Sequence, residues 1–438
     1  WVPGRVNLIG EHTDYNGLPV MPMAIARGIH MLIAPSDGHS VQLRNVAEEF
    51  EPLHFTMSAD IKPYPTGNWG NYVKAGVQSI VCSALKTGMG MSDLRGFCAL
   101  VDSTLPIAAG LSSSSAMVVA SALATASVNN LPWERTTLAE QMAAAERYVG
   151  TMGGGMDQAV ILLAQAGAAL KIDFYPLRTT TVSLPSGYSV VICNSMVQAP
   201  KTAEARLSYN RLPIECHMAA AMLSHALRDK GVNESTERIS DLLKAMTAEQ
   251  LMDEAERLFG QENWDKKRVA AHLGITIEEL EERYMRLVDG DTLPTPPEGF
   301  PLLKRVRHVV SEAKRVENAA QVLEASDAVG FGELMNASHT SCRDDYGISC
   351  PELDQLVEIA RSAGAVGSRL TGAGFGGCTV SLVSEAKLDA FQRAVIEGYY
   401  EGYLQEHKPY LHQEVLKRGY DDVIVISTPQ SGADVKQL

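Results

Sequence analysis

Pro106-Ile107-Ala108-Ala109-Gly110-Leu111-Ser112-Ser113-Ser114-Ser115-Ala116 is a run of small residues between two stretches of different character. Before it, Gly96-Phe97-Cys98-Ala99-Leu100-Val101 has the composition of a strand. After it, Ala116-Met117-Val118-Val119-Ala120-Ser121-Ala122-Leu123-Ala124 is apolar nearly all round, which predicts a buried helix of about three turns. Strand, glycine-serine loop and helix in that order can cradle a phosphate. Small residues let a ligand approach the backbone, and the free N–H groups at a helix start carry roughly half a positive charge. The serine hydroxyls can bond phosphate oxygens or ligate Mg²⁺. Taken alone, the run reads equally well as a serine-rich capping loop. It has neither the GxxxxGK[ST] spacing of a P-loop nor the GxSxG of a nucleophile elbow, which argues against those two chemistries.

Three more islands carry polar or glycine-rich patterns. Near the start, Arg5, Asn7, Glu11, His12, Asp14 and Tyr15 crowd into eleven residues with Gly4 and Gly10 among them. A stretch that begins as a strand buries so many polar groups only if they meet one another or a polar ligand. Carboxylates and an imidazole suit sugar hydroxyls. Ser368-Arg369-Leu370-Thr371-Gly372-Ala373-Gly374-Phe375-Gly376-Gly377-Cys378 has four glycines in six residues, more than a plain turn needs, and can fold close over a site. In Gly153-Gly154-Gly155-Met156-Asp157-Gln158 a carboxylate follows three glycines. Glu146 lies eleven positions earlier, on a helix expected over 142–149. One acid can hold a cation and the other face an acceptor hydroxyl.

The whole chain bounds these readings. Its 438 residues carry 38 basic and 52 acidic side chains, a net −14 that disfavours nucleic acid or an anionic membrane as partner. Hydrophobic residues at 45% suffice for a large core. The seven cysteines form no CxxC pair, so neither a disulfide framework nor a zinc ribbon is expected, and the location is expected to be cytoplasmic. No apolar run reaches the ~18 residues of a membrane helix. Residue 1 is Trp, and Val2–Asn7 reads as a strand entered midway, so the natural chain is expected to begin upstream. Residues 210–284 are helical in pattern, with Gly274 and Thr276 marking a stop and a cap, and Pro294-Thr295-Pro296-Pro297 is a loop. Tyr188–Ser195 reads as a central strand, with a boundary expected near 186.

Together these islands resemble the three signature motifs of the galactokinase and N-acetylgalactosamine kinase branch of the GHMP small-molecule kinases. Gly4–Tyr15 resembles the sugar signature, Gly110–Ala116 the phosphate loop, and Leu370–Gly377 the third motif. The glycine-rich form at Gly153–Gln158 and the helical segment before Pro294 look more like the eukaryotic members. The resemblance implies a two-domain α+β GHMP kinase fold, domains 1–186 and 187–438, the second with a helical insertion at about 230–300. The active site would lie in the cleft between them. The implied activity is ATP-dependent phosphorylation of the anomeric C1 hydroxyl of galactose. The alternatives are an N-acetylgalactosamine 1-kinase and a non-catalytic galactose sensor. Carried over residue by residue, Asp157 and Arg5 are catalytic, and Glu11, His12, Asp14, Gly154 and Tyr209 line the sugar pocket. Gly110, Leu111, Ser112, Ser113, Ser114 and Ser115 hold ATP with Trp69 stacked on adenine, and Ser114 and Glu146 bind Mg²⁺. N-acetylgalactosamine kinases tend to carry Phe where Tyr209 stands, which favours galactose. Two departures from the pattern are the arginine directly after Asn210 and Pro213. A monomer without nucleic-acid or membrane partners is expected.

Overall fold

The computed structural model describes residues 1–106, 109–198, 203–228, 232, 236–288 and 290–437. Two sheets organise it. Strands β1 (Val2–Ile9), β2 (Met21–Pro35), β3 (Ser40–Asn45), β4 (Leu53–Thr56) and β5 (Phe97–Ser103) form the first, in the order β1-β2-β5-β3-β4. All its pairs are antiparallel except β3 with β5. In β5 the buried residues Phe97, Ala99 and Val101 alternate with exposed ones, the period of a sheet covered on one face. The cover is α1 (Gly70–Lys86) and α2 (Ser113–Val128). As its composition predicts, α2 is buried on nearly every side. Gly76 lets α1 lie close against it, since a Cβ there would sit 2.3 Å from the Val118 carbonyl oxygen.

Helices α3 (Arg135–Ala145) and α4 (Met156–Leu163) complete this half, and β6 (Ala168–Asp173) pairs with β7 (Arg178–Ser183). The helix expected over 142–149 is the end of α3 followed by a 3₁₀ turn, Glu146–Val149, which Gly150 stops in the left-handed conformation. The second sheet has the order β11-β8-β10-β9, from β8 (Tyr188–Asn194), β9 (Gly367–Leu370), β10 (Cys378–Ser384) and β11 (Ile424–Ser427). Between β8 and β9 the chain is helical: α5 (Ala203–Leu227), α6 (Ile239–Leu242), α7 (Ala248–Phe259), α8 (Lys266–Leu273), α9 (Ile277–Tyr284), α10 (Leu302–Glu324), α11 (Ala328–Ser341) and α12 (Pro351–Ser362). Gly274 ends α8 at φ +69°, and Thr276 opens α9 with a capping box to Glu279, the stop and cap read from the sequence. Helices α5 to α9 wrap a core of their own around Phe259, Trp264 and Phe300, against α10. Pro213 is accommodated inside α5. None of the helices among the described residues is long and apolar enough to cross a membrane.

The strands change sheet between Ser183 and Tyr188, beside the expected boundary, yet the two halves share one hydrophobic core. Val6, Met23 and Val118 of the first half pack in it together with Val316, Phe331 and Val380 of the second. The last residues cross back over that boundary. After β11 the chain returns to the first half: Gln430 N–H donates to Ala24, Gly432 to Ala164, Ala433 to Ile161 and Asp434 to Trp1. This tail binds the C-terminal end of α4, whose first turn carries Asp157.

A shared core predicts one cooperative unfolding transition. Phe331, fully buried on α11, should cost about 3–5 kcal/mol when cut to Ala. In urea, tryptophan fluorescence and far-ultraviolet circular dichroism should move to the same lower midpoint. Two separated transitions would contradict the shared core.

Candidate active site

Strand β1 delivers Arg5 to the start of α2 and to α4 at once. Its backbone N–H donates to the Leu111 carbonyl at 3.3 Å, and Nη1 donates to the Gly110 carbonyl at 2.5 Å. Nε and Nη2 both reach Asp157 Oδ1 at 2.8 Å. Asp157 is there because Gly155, at φ +106°, starts α4 and places residue 157 in its first turn. Its other oxygen, Oδ2, accepts from the Ser112 hydroxyl and lies 3.3 Å from that of Ser115. The sequence reading assigned Glu146 and Ser114 to one cation. The hydroxyl that meets Glu146 is that of Ser115, one residue on, which donates to Glu146 Oε1. Among the described residues the Ser114 hydroxyl has no hydrogen-bond partner. Gly110, Leu111 and Ser113 lie in the same turn and helix start, while Ile107 and Ala108 fall outside the described residues.

The sugar-signature loop presses on α4 from the other side. A Cβ on Gly154 would stand 2.2 Å from the Tyr15 backbone nitrogen and 2.5 Å from Asp14 Cγ, so only glycine fits. Asp14 Oδ2 accepts from the Met156 N–H at 3.4 Å. Asp14 and Glu146 therefore both face Asp157. Burial, then the charge of Asp157, pushes Glu146 up to about 7 and Asp14 up to about 6. Tyr209, from α5, joins them: its ring is 5.8 Å from that of His12, and burial followed by Asp14 and Asp157 raises its phenol. The next residue, Asn210, ties α5 to the glycine-rich loop through the Gly150 carbonyl (3.1 Å) and the Met152 N–H (3.4 Å).

His12 is almost enclosed. A carbonyl can only accept, so Nε2–H donates to Ala373 O at 3.2 Å and Nδ1 accepts from the Tyr15 hydroxyl at 2.9 Å. Tyr15 then receives its hydrogen bond from Tyr346, at 2.7 Å. Burial, reinforced by His308, pushes His12 down to about 3, so the imidazole is neutral. Glu11 points inward, 1% exposed, its Oε1 accepting from Gly372 N–H (2.8 Å) and Arg369 (3.2 Å). Its carboxyl fixes the loop that presents His12 and Asp14. Behind it lies a group that sequence reasoning missed. Glu312 of α10 accepts from the Gly10 N–H (2.8 Å), Ser338 (2.5 Å) and Arg315 (2.6 Å). Burial would raise this acid, but Arg315 and Arg369 overcome it and hold it down at about 2. His308, one turn earlier, bonds the Glu11 carbonyl at 3.0 Å. A hint was available: His308 and Glu312 fall on the apolar face of α10. Tyr72 was also missed; its phenol is raised by burial and then by Glu146.

The third motif closes the arrangement. Thr371 Oγ1 accepts from Asn7 N–H at 2.9 Å, and Cβ atoms on Gly372 and Gly377 would sit 2.8 and 2.9 Å from the carbonyl oxygens of Gly110 and Ala109. One loop thus touches both the sugar signature and the phosphate loop. Trp69 stands apart. Its indole N–H bonds the Glu51 carbonyl at 3.2 Å and its ring meets Phe50 edge-on. No hydrogen bond or ring contact among the described residues links it to the serines.

Residues 2–35 match the galactokinase galactose-binding signature, 71–165 the GHMP kinases N terminal domain and 319–401 the GHMP kinases C terminal region. A galactokinase from Dictyostelium discoideum is 35% identical over 98% of this chain and 88% of its own length. The chain belongs to the galactokinase family of GHMP kinases. A second family member, from Chloroflexus aggregans, is 36% identical over 91% of this chain and 86% of its own. Among solved structures, the Lactococcus lactis galactokinase complexed with galactose superposes with a TM-score of 0.73 at 27% identity, covering 99% of this chain and 93% of that one. The Methanococcus jannaschii mevalonate kinase shares the GHMP fold at 17% identity, with a TM-score of 0.56, covering 98% and 97%.

Glu146 gives the site a pH signature. It binds its proton more tightly folded than unfolded, so it removes stability as pH rises from its ordinary 4.5 to about 7. Glu146→Gln abolishes that loss. His12 and His308, pushed down to about 3 and about 4 mainly by burial, act in the opposite sense in both proteins. The melting temperature of the variant relative to the parent should therefore climb across this window. A difference that ignores pH would contradict a buried, raised Glu146.

Proposed function

We propose that the chain is an ATP-dependent sugar 1-kinase that phosphorylates the anomeric C1 hydroxyl of galactose. One observation supports this above the others. Asp157 is held by Arg5 and by phosphate-loop serines, while Gly154, three residues before it, presses on the sugar signature. The carboxylate thus stands where a sugar hydroxyl and a phosphoryl donor would meet. His12, Asp14, Gly154 and Tyr209 form the sugar side, with Glu11 buttressing their loop. The start of α2 forms the phosphate side. Galactose is the preferred acceptor because of the signature at 2–35 and the retained Tyr209.

Phosphoryl transfer passes through a loose transition state, so positioning and charge stabilisation carry the catalysis. Asp157 accepts the hydrogen of the C1 hydroxyl and orients its oxygen. Arg5, pinned between Asp157 and the Gly110 carbonyl, supplies positive charge beside the transferred group. The backbone N–H groups that open α2 meet the phosphates. Ser115 and Glu146 offer hard oxygen donors that suit Mg²⁺, with Ser115 in the place first given to Ser114. No three His, Cys, Asp or Glu side chains among the described residues form a metal cage. That fits Mg²⁺ held by few side chains together with substrate phosphates. When bound, Mg²⁺ would neutralise phosphate charge. By the family resemblance, Trp69 would be the adenine platform.

Asp157→Asn should lower kcat by ~10² or more with galactose affinity within a few fold of the parent. A coupled ADP-release assay and calorimetric galactose titration measure the two quantities. Near-normal turnover would remove Asp157 from the chemistry. The same assay on the parent, run with galactose and N-acetylgalactosamine, should give the higher kcat/KM for galactose. The reverse order would make it an N-acetylgalactosamine kinase, and no turnover with either would favour a sugar sensor.

A further inference from the structure

Helix α4 has only eight residues, about two turns, and an isolated helix this short is not stable in water. Its first turn carries Asp157, and Arg5 and Ser112 fasten that end. The other end is fastened from outside. Ile161 and Leu162 lie in the last turn, where a helix leaves its carbonyls without internal partners. The Ile161 carbonyl accepts from Ala433 N–H at 2.7 Å, and that of Ala164, just beyond the helix, from Gly432 N–H at 2.8 Å. The Leu162 carbonyl accepts from Arg135 Nη1 at 2.6 Å, and the same nitrogen donates to the Ala433 carbonyl at 2.9 Å. Only glycine lets the tail come so close. A Cβ on residue 432 would stand 2.8 Å from the Leu162 oxygen and 2.9 Å from that of Ile161.

Arg135 is the first residue of α3, whose start Glu134 caps by accepting from the N–H groups of Thr136 and Thr137. The two helices run antiparallel. Arg135 meets the end of α4, while Ala143, near the end of α3, lies against Gly155 at the start of α4. Glu146 directly follows α3, so the two acids face each other at one end of the pair and Arg135 grips the other. Close-packed helices transmit displacement, so a slip at the Arg135 end is carried to Glu146 and Asp157. Arg135 is an exposed residue and fills no part of the core.

We propose that Arg135 is a positioning residue. With Gly432 and Ala433 it clamps α3 to α4 and so sets the spacing of Glu146 from Asp157 at the opposite end. This rests on the kinase reading above, in which both acids serve the transfer.

Arg135→Ala removes both donated bonds, and Gly432→Ala drives the tail from α4. Each should lower kcat about tenfold or more in the coupled ADP-release assay at saturating ATP, Mg²⁺ and galactose. Arg135→Lys should recover most of the loss, because both bonds come from one nitrogen and an ammonium has three donors. Phe331→Leu weakens the shared core outside α3, α4 and the tail, and controls for plain destabilisation. It should keep kcat within twofold of the parent, at a temperature where melting curves show the proteins folded. A kcat within twofold of the parent in a folded Arg135→Ala or Gly432→Ala protein overturns the proposal. So does an equal loss in Phe331→Leu, or an Arg135→Lys protein no faster than Arg135→Ala. An absence of turnover in the parent would instead overturn the sugar-kinase reading.

Discussion

The Arg5 guanidinium joins three parts of the chain that are far apart in sequence. It rises from β1, closes on Asp157 at the start of α4, and bonds the carbonyl of Gly110 just before α2. Everything else in the site is arranged around that junction. Gly154 brings the sugar-signature loop against α4, and the third motif lies across both that loop and the phosphate loop. Because one side chain touches both sides, the spacing between sugar and phosphate is set by buried, charge-assisted hydrogen bonds rather than by a hinge.

A junction of this kind needs a rigid backing, and the backing is itself electrostatic. Arg369, fully buried, bonds the Asn7 carbonyl and Glu11, and Glu312 receives the N–H of Gly10. Desolvating these charges is costly, and removing one partner of such a cluster typically costs several kcal/mol. The cluster is compatible with stability because nearly every member has a partner of opposite charge or a hydrogen bond. On the ligand side the balance is reversed. Burial, and then the charge of Asp157, raises Glu146 and Asp14 and leaves the region receptive to a cation.

The parts of this arrangement legible in the sequence are those written locally. Small residues before an all-apolar helix marked α2 and its loop, Thr276 three residues before Glu279 marked a helix start, and glycine crowding marked loops that approach other backbones. Family resemblance added roles for Arg5 and Asp157 and brought His12, Asp14, Gly154 and Tyr209 into one group, which the fold gathers. What was not legible depends on helical phase or on long-range partners. Four consecutive serines do not reveal which faces Glu146; the position of the helix start makes it Ser115 rather than Ser114. The 3₁₀ turn that carries Glu146 has no distinct periodicity. Arg369 and Glu312 meet residues about 300 or more positions away, and no local pattern names such partners. The tail crossing back to α4 is hidden for the same reason.

A single site has to bring a terminal phosphate to the anomeric oxygen of a hexose. Phosphorus nuclear magnetic resonance of the chain incubated with ATP, Mg²⁺ and galactose tests it directly. ADP and a sugar phosphate should form in equal amounts, with the phosphorus coupled to the anomeric proton. A phosphate on any other carbon, or ADP formed without a sugar phosphate, would contradict it.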